Sequence, residues 1–252
     1  MKPPTFANDS FVSPSTSNRA DVFLVEHGYA RTRAEAQEAI AAGKVFDGGR
    51  PILKPSHKLN ETSRIRYERA HPFVSRGALK LAAALDRFAL SPRGLVCLDL
   101  GASTGGFTEV LLARGAAHVF AVDVGHGQLD PKLARDPRVT SLERTNARDL
   151  KPLAQAPQAI VADLSFISLK LALPPALEMA APGAWLVALV KPQFEAGKEN
   201  IGKGGIVRDA AAQEKALEDV LAWMPWRAMG TMESPVKGGD GNREFLLAAA
   251  KR

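Results

Sequence analysis

Residues 98–108 join an apolar run to a glycine-rich turn, and they read Leu98-Asp99-Leu100-Gly101-Ala102-Ser103-Thr104-Gly105-Gly106-Phe107-Thr108. The run Leu95–Leu100 predicts a buried strand, and Phe107–Arg114 predicts a helix directly after the glycines. Gly101 permits a sharp turn where the strand ends, while Gly105 and Gly106 would let the backbone approach a ligand. The segment therefore predicts a strand–turn–helix unit with a binding function.

The same alternation continues on both sides of this unit. Further apolar runs predict strands at Val119–Val124, Val139–Leu142, Ile160–Leu164, Trp185–Val190 and Glu244–Ala249. Helical patterns lie at Ser75–Ala89, Leu169–Met179 and Ala210–Trp223. The strands are continuously apolar rather than alternating, which is expected when helices cover both faces of a parallel sheet. This pattern predicts an α/β domain with a mainly parallel sheet.

A small α+β module precedes this domain, at residues 19–67. Its pattern predicts a helix over Arg19–His27 and a second helix that begins with the capping box Thr32-Arg33-Ala34-Glu35. A hairpin is expected around Asp47-Gly48-Gly49, followed by a strand over Ser63–Tyr67. We expect residues 1–18 to form a flexible leader, 68–74 a linker, and 75–252 the larger domain.

Composition excludes several classes of protein. The 252 residues are 46% hydrophobic and 24% charged, so a wholly disordered chain is excluded. The single cysteine, Cys97, cannot form an intramolecular disulfide, which favours a reducing compartment. No segment approaches the ~20 apolar residues that span a bilayer, and the N-terminus lacks the apolar core of a signal peptide. We therefore expect a cytoplasmic protein; its net charge of +6 weakly favours an anionic partner.

Two carboxylates at strand ends indicate which ligand the glycine turn binds. A dinucleotide fingerprint reads G-x-G-x-x-G, whereas this turn reads G-x-x-x-G-G and follows Asp99. A carboxylate there would repel a pyrophosphate and suit a cationic amino group, while Asp123 is placed to bond ribose hydroxyls. An amino acid joined to adenosine without phosphates is S-adenosylmethionine. An NAD-type or ligand-free fold is the alternative.

The candidate cofactor-binding set takes in the turn and the ends of the next two strands. Asp149 follows the third strand, where it could bond the adenine amine or could be an exposed loop acid. The full set is Asp99, Gly101, Ser103, Thr104, Gly105, Gly106, Phe107, Asp123 and Asp149. No histidine or cysteine spacing indicates a metal site.

Four further charged residues are placed to meet in one crevice. Asp163 and Lys191 end the fourth and fifth strands, and the carboxyl ends of parallel strands line the ligand crevice in such folds. Lys80 lies early in the helix before the sheet, and Glu244 opens the last strand. Each of them taken alone is also compatible with an ordinary surface charge.

Several motifs together resemble a known family. They are Ser75-Arg76-Gly77-x-x-Lys80-Leu81, the glycine turn, Ala162-Asp163-Leu164-Ser165-Phe166-Ile167-Ser168-Leu169, Lys191-Pro192-Gln193-Phe194-Glu195 and Lys203-Gly204-Gly205-Ile206-Val207. From about Arg19 to the C-terminus the chain resembles the TlyA family, whose members carry an FtsJ-like ribose methyltransferase domain behind a small RNA-binding domain first described in ribosomal protein S-four. The resemblance implies a Rossmann-like, S-adenosylmethionine-dependent methyltransferase sheet.

The resemblance also implies an activity and a set of catalytic residues. The expected reaction is methylation of a ribose 2′-hydroxyl in ribosomal RNA, on cytidine in characterised relatives, by a tetrad of Lys80, Asp163, Lys191 and Glu244. A lysine can accept a proton only in its neutral form, which burial and a second nearby cation favour. We expect Lys191 to be the general base and Lys80 to steer the hydroxyl and stabilise negative charge, with the two carboxylates orienting them.

The small module carries the candidate RNA contacts. These basic residues are Arg31, Arg33, Lys44, Arg50, Lys54, Lys58 and Arg64. These residues could contact RNA phosphates. Because acidic residues are interspersed among them, they could instead form an ordinary solvent-exposed face. The expected partners are ribosomal RNA or ribosomal subunits, with no membrane and a monomeric state favoured. A non-catalytic ribosome-binding protein and a membrane-active hemolysin, after a name used in the family, are the alternative functions.

Overall fold

The computed structural model describes residues 18–238 and 241–252. The chain divides into two compact units, one ending at Pro72 and the other running from Phe73 to Arg252. The division falls inside the expected linker. The expected leader lies outside the described residues except for Asn18.

The smaller unit packs two helices with short strands. Its elements are β1 (Asn18–Arg19), α1 (Ala20–Glu26), α2 (Arg33–Ala41), β2 (Val45–Asp47), β3 (Arg50–Pro51), β4 (Lys58–Leu59) and β5 (Ile65–Tyr67). The order β3-β2-β5 forms one antiparallel sheet, and β1 pairs with β4. Leu24, Ile40 and Val45 are buried at the centre of its apolar core.

The predicted hairpin is confirmed, while the capping box forms only in part. Gly48 and Gly49 both adopt positive φ angles, +54° and +84°, as a two-residue hairpin turn requires. The Thr32 hydroxyl accepts a hydrogen bond from the Glu35 amide at 3.2 Å. The Glu35 carboxylate accepts bonds from Arg31 and Arg69 instead of returning to Thr32, because two guanidinium groups offer it charged donors.

The larger unit alternates strands and helices. Its elements are α3 (Gly77–Arg87), β6 (Val96–Leu100), α4 (Gly106–Ala113), β7 (His118–Val122), α5 (Pro131–Ala134), β8 (Val139–Leu142), β9 (Ala159–Ala162), α6 (Leu169–Ala172), α7 (Pro174–Met179), β10 (Trp185–Val190), α8 (Pro192–Glu195), α9 (Ala210–Trp223), β11 (Arg227–Glu233) and β12 (Phe245–Ala250). Single 3₁₀ turns lie at Ala147–Asp149 and Lys198–Asn200.

These strands form one sheet in the order β8-β7-β6-β9-β10-β12-β11. Strand β12 runs antiparallel to both of its neighbours, and the other adjacent pairs are parallel, so the predicted mainly parallel α/β sheet is confirmed. The chain moves outward from β6 to β8 and then returns to the other side of β6 with β9. A crevice is expected at the carboxyl ends of β6 and β9, where this order reverses.

Helices cover both faces of the sheet. Leu98 and Leu100 of β6 pack on the face covered by α6, α7 and α9. Cys97, on the same strand, points to the other face, which α3 and α4 cover. Burial on both sides explains why the strands are continuously apolar in sequence.

One expectation about elements was wrong, and one strand was not predicted. The single helix expected over Leu169–Met179 is two short helices, α6 and α7, because Pro174 and Pro175 cannot continue the hydrogen bonding of α6. Strand β11 was missed because it is a largely exposed edge strand of mixed polarity with an irregular register near Gly230.

Candidate active site

A cleft of about 880 Å³ opens at the carboxyl ends of the strands, where the order of the sheet reverses. This volume is typical of small-molecule sites, which span roughly 300–1,000 Å³. It is lined by Gly101, Ser103, Val122, Asp123, Val124, Gln128, Thr145, Asn146, Ala147, Arg148, Asp163, Leu164, Ser165, Phe166, Ile167, Ser168, Leu171 and Phe194.

The glycine turn is packed tightly against the protein itself. Gly101 has a φ of +83°, and a Cβ at this position would lie 2.5 Å from the carbonyl oxygen of Asp163. A Cβ on Gly105 would overlap Leu133, and one on Gly106 would overlap Ser75. The space beside Gly105 and Gly106 is therefore filled by side chains of the protein, and the need for glycine there comes from packing rather than from the approach of a ligand.

Asp99 lies beneath this turn rather than in the cleft. Its side chain is fully buried, and its Oδ2 accepts a hydrogen bond from the Thr108 hydroxyl at 2.7 Å. Among the described residues, Oδ1 has no hydrogen-bond partner. Burial raises the pKa of the Asp99 carboxyl to about 7, and the negative charges of Asp163 and Asp123 act in the same direction.

Asp123 lies in the wall of the cleft, where the sequence predicts it. Its Oδ2 accepts the Ser103 amide at 2.8 Å, and its Oδ1 accepts the Gly125 amide at 2.7 Å. Ser103 adopts a positive φ of +48° in this arrangement. A carboxylate has about four acceptor sites, so two amide bonds leave Asp123 able to accept hydroxyl donors from a ligand.

Three other candidates do not line the cleft. Asp149 is exposed and forms an ion pair with Arg148 at 3.4 Å, and Asn146 and Arg148 take the lining positions in this segment. Thr104 is exposed, with its carbonyl oxygen accepting the amide of Asp130. Phe107 is buried in the apolar core below the turn.

The four predicted catalytic residues form two ion pairs. Lys191 Nζ lies 2.7 Å from Asp163 Oδ1 and donates a second bond to Ser165 Oγ at 2.8 Å. Lys80 Nζ lies 2.6 Å from Glu244 Oε2. Each lysine thus has its own carboxylate; that the two ammonium groups lie close together, as the sequence predicts, stays a prediction.

Sheet register brings these pairs to one corner of the molecule. Val190 of β10 is paired with Phe245 of β12, so Lys191 and Glu244 lie side by side just beyond the paired residues. A Cβ on Gly77 would lie 3.6 Å from Asp163 Oδ2, which places the start of α3 against Asp163. Lys80 follows one turn later on that helix. Of the four residues only Asp163 lines the cleft, so the Lys191 pair adjoins the cleft through Asp163.

Sequence reasoning missed Ser165, Phe166 and Phe194. Phe166 has a φ of +65° and is 91% exposed, and its ring centroid lies 5.3 Å from that of Phe194. The signal was present, because all three residues belong to the motifs that carry the family resemblance. Nothing in their residue types marked them as neighbours of Lys191.

Three of the candidate RNA-binding residues of the smaller unit contact a carboxylate within that unit. Arg33 donates to Asp21 at 2.9 Å, Arg31 to Glu35 at 3.1 Å, and the Lys44 ammonium lies 3.4 Å from Glu68. The other four candidates, which are all exposed, are Arg50, Lys54, Lys58 and Arg64.

Asp21 gives Arg33 a structural role. This carboxylate is fully buried, and although burial acts to raise its pKa, hydrogen bonds from Arg19, Gln37 and Arg33 hold the pKa well below its usual range. The Arg33 guanidinium is therefore partly committed to stabilising the unit.

The described residues contain neither a metal-type cluster nor a membrane-spanning helix. Groups of three or more histidine, cysteine or acidic side chains placed to bind a metal ion are absent from them. Each helix in the described part of the chain is too short or too polar to cross a bilayer.

Comparison with known families gives two matches. Residues 73–251 match the family model described as FtsJ-like methyltransferase, and residues 19–65 match the S4 domain.

Individual relatives cover nearly the whole chain. The 16S/23S rRNA (cytidine-2′-O)-methyltransferase TlyA of Mycobacterium tuberculosis is 49% identical over 91% of this chain and 88% of its own. A protein named hemolysin A from Brachyspira hyodysenteriae is 39% identical over 90% of this chain and 98% of its own. A solved structure from Streptococcus thermophilus that carries a hemolysin name shares 42% identity and a TM-score of 0.75, covering 94% of this chain and 90% of its own.

Proposed function

Because the chain belongs to the TlyA family of FtsJ-like methyltransferases, we propose that it transfers a methyl group from S-adenosylmethionine to a ribose 2′-hydroxyl of ribosomal RNA, on a cytidine. The observation that carries this proposal is the pair of lysine–carboxylate contacts, one of which adjoins the cleft through Asp163. A ribosomal RNA substrate would place the protein in the cytoplasm, and we propose that it acts there as a monomer.

The residues of the cleft suit S-adenosylmethionine. When bound, this cofactor supplies a methyl group activated by a positively charged sulfur. Asp123 has acceptor capacity left for two ribose hydroxyls, and the neighbouring backbone at Ser103 is held close to it. Asp99, with one oxygen lacking a partner among the described residues, lies under the same turn, where its ionised form would favour a cationic amino group above it.

Lys191 is placed to take the proton of the 2′-hydroxyl. The hydroxyl oxygen gains negative charge as its proton passes to the neutral amine of Lys191. It would then bond to the methyl carbon as the bond from that carbon to the positively charged sulfur breaks, with the electron pair of the broken bond staying on the sulfur. Asp163, 2.7 Å away, then stabilises the resulting ammonium, and Ser165 fixes the direction of the side chain. The ammonium returns its proton to water after the methylated product leaves.

Lys80 contributes a fixed positive charge. It is 7% exposed and paired with Glu244, which is 3% exposed, so this ion pair lies in a region from which water is largely excluded. A preorganised charge in such a region stabilises developing negative charge more strongly than one in water. We propose that the Lys80 ammonium stabilises the ribose 2′-oxygen as it becomes an alkoxide.

The smaller unit would supply affinity for RNA. Its match to the S4 domain and its exposed Arg50, Lys54 and Arg64 suit contacts with phosphates. Such contacts fix position and orientation but do not read sequence. The structure of the RNA would therefore select the methylated nucleotide.

The test is methylation of purified ribosomal subunits with labelled S-adenosylmethionine, followed by mapping of 2′-O-methyl sites. We expect the wild-type protein to modify cytidine and Lys191→Ala to lose about 10²-fold or more in rate while it still binds the cofactor. Lys215→Ala, at a 73% exposed lysine on α9, is the matched control. Failure of the wild-type protein to methylate either subunit, or an unchanged rate for Lys191→Ala, would reject the corresponding part of the proposal.

A further inference from the structure

Glu195 is an acidic residue outside the catalytic set, and both of its oxygens are engaged by one loop. Its Oε2 accepts a hydrogen bond from Ser168 Oγ at 2.6 Å, and its Oε1 accepts the Leu169 amide at 2.7 Å. Burial raises the pKa of this carboxyl, while these two bonds and the charge of Lys170 act in the opposite direction. Glu195 therefore ties the end of α8 to the start of α6.

The same two segments are joined at two further places. Lys191, at the start of α8, binds Asp163 and Ser165. The Phe194 ring contacts the Phe166 ring between these ends. Residues 191–195 thus hold residues 163–169 at three successive points, with the proposed base at one end and Glu195 at the other.

The backbone of this loop needs external restraint. Phe166 adopts a left-handed φ of +65°, which a bulky residue rarely takes and keeps only where the surroundings impose it. Its side chain is 91% exposed, so burial of the ring supplies little of that restraint. The contact of its ring with Phe194 and the bonds that flank it, from Lys191 on one side and from Glu195 on the other, supply such restraint.

We propose that Glu195 is a positioning residue for methyl transfer. By holding Ser168 and Leu169, it sets the conformation of residues 163–168 and so the placement of Asp163 and Ser165 around the Lys191 amine. This inference rests on the proposed function. A purely structural alternative exists, because Ser168 is also the N-cap of α6 and accepts the Lys170 amide at 3.2 Å. That alternative predicts lost stability with an unchanged catalytic rate.

Two variants at this position separate the alternatives. Glu195→Ala removes both acceptors. Glu195→Gln keeps one oxygen for the Leu169 amide and offers an N–H to the Ser168 hydroxyl, which can rotate to accept it. Glu178→Ala, at an exposed glutamate on α7, is the matched control.

The first measurement is steady-state methylation of ribosomal subunits. Because a displacement of about 1 Å can cost a reaction about 10²-fold, we expect kcat to fall at least about ten-fold in Glu195→Ala, with the KM for S-adenosylmethionine within about two-fold of wild type. Glu195→Gln should recover most of kcat. An unchanged kcat in Glu195→Ala at a temperature where it is folded would overturn the proposal.

The second measurement does not depend on activity. Hydrogen exchange read by mass spectrometry should show faster exchange of the amides in residues 163–169 of Glu195→Ala, by about ten-fold, and wild-type exchange in Glu195→Gln and Glu178→Ala. Unchanged exchange in this loop would reject the role of Glu195 even if the protein proved inactive on RNA. Faster exchange in a protein whose wild-type form methylates nothing would instead reject the proposed function alone.

Discussion

Lys80 Nζ and Glu244 Oε2 lie 2.6 Å apart, in an ion pair that joins helix α3 to the residue just before strand β12 across 164 positions of sequence. The two residues are 7% and 3% exposed. Charges removed from water in this way are stable only while both are present, because either one alone would be buried without compensation. The pair therefore links the stability of the larger unit to its chemistry.

Single and double substitutions of this pair should behave differently. We expect Lys80→Met or Glu244→Leu alone to lower the free energy of unfolding by about 3–5 kcal/mol, because each leaves a buried charge unpaired. The double variant should regain most of that loss and remain inactive. Urea unfolding followed by circular dichroism measures both quantities; single variants that cost under about 1 kcal/mol would show that water reaches the pair.

The close approach of Gly101 to Asp163 gives a second prediction. Gly101→Ala places a methyl group 2.5 Å from the Asp163 carbonyl oxygen and requires a φ of +83°. Gly127→Ala is the matched control, because Gly127 has a φ of +64° and nothing within 4 Å of the added Cβ. The control should lose only about 1–2 kcal/mol for left-handed backbone.

We expect Gly101→Ala to lose more unfolding free energy than the control and to lose methylation, since Asp163 must move to admit the methyl group. Unfolding free energies and methylation rates of the two variants measure this. Equal losses in both would mean that backbone conformation alone requires glycine at position 101.

The order of elements could be predicted from sequence because it depends on local patterns. The runs at Val139–Leu142 and Trp185–Val190 are strands with the predicted bounds. Period and apolar content identify such segments whatever their neighbours. Edge strand β11 lacks that signal, since most of its residues face solvent.

The sequence predicted which residues form the candidate catalytic site but not how their side chains pair. Strand ends indicated that Asp163 and Lys191 would meet, and they do. Which lysine pairs with which carboxylate depends on the antiparallel register of β10 and β12, and this is long-range information that no local pattern carries. Asp149 shows the same limit, because one 3₁₀ turn exposes it and turns Asn146 and Arg148 to the cleft instead.

A third prediction concerns the pH dependence of stability. Burial raises the pKa of the Asp99 carboxyl from 3.8 to about 7, so the folded state binds this proton more tightly than the unfolded state. The resulting stabilisation is complete below the unfolded pKa and is lost as the pH rises towards 7. Wild-type protein should therefore lose a few kcal/mol relative to Asp99→Asn between pH 4 and 8, at about 1.4 kcal/mol per unit of pKa difference.

Urea unfolding of both proteins at several pH values measures this difference, and the titration of groups that do not interact with Asp99 cancels in it. The loss should level off above pH 7, roughly where Asp99 is ionised in both states. The proton is released over about pH 4 to 8. If the unfolding free energies of wild type and Asp99→Asn differ by a constant amount over this range, Asp99 is not a buried carboxyl with a raised pKa.

The last prediction compares two basic residues of the smaller unit, one expected to bind RNA and one expected to stabilise the fold. Arg64 is exposed, whereas Arg33 donates to the fully buried carboxylate of Asp21 at 2.9 Å. Arg64→Ala should weaken binding to ribosomal RNA and reduce the slope of log K against log salt concentration by about 1, because one fewer counterion is released. Its unfolding free energy should stay at the wild-type value.

Arg33→Ala should instead cost about 1 kcal/mol of stability, since Asp21 keeps only the donors from Arg19 and Gln37. Filter binding across a salt series, together with urea unfolding, distinguishes the two; an unaltered salt slope for Arg64→Ala would place the RNA on another face of the unit.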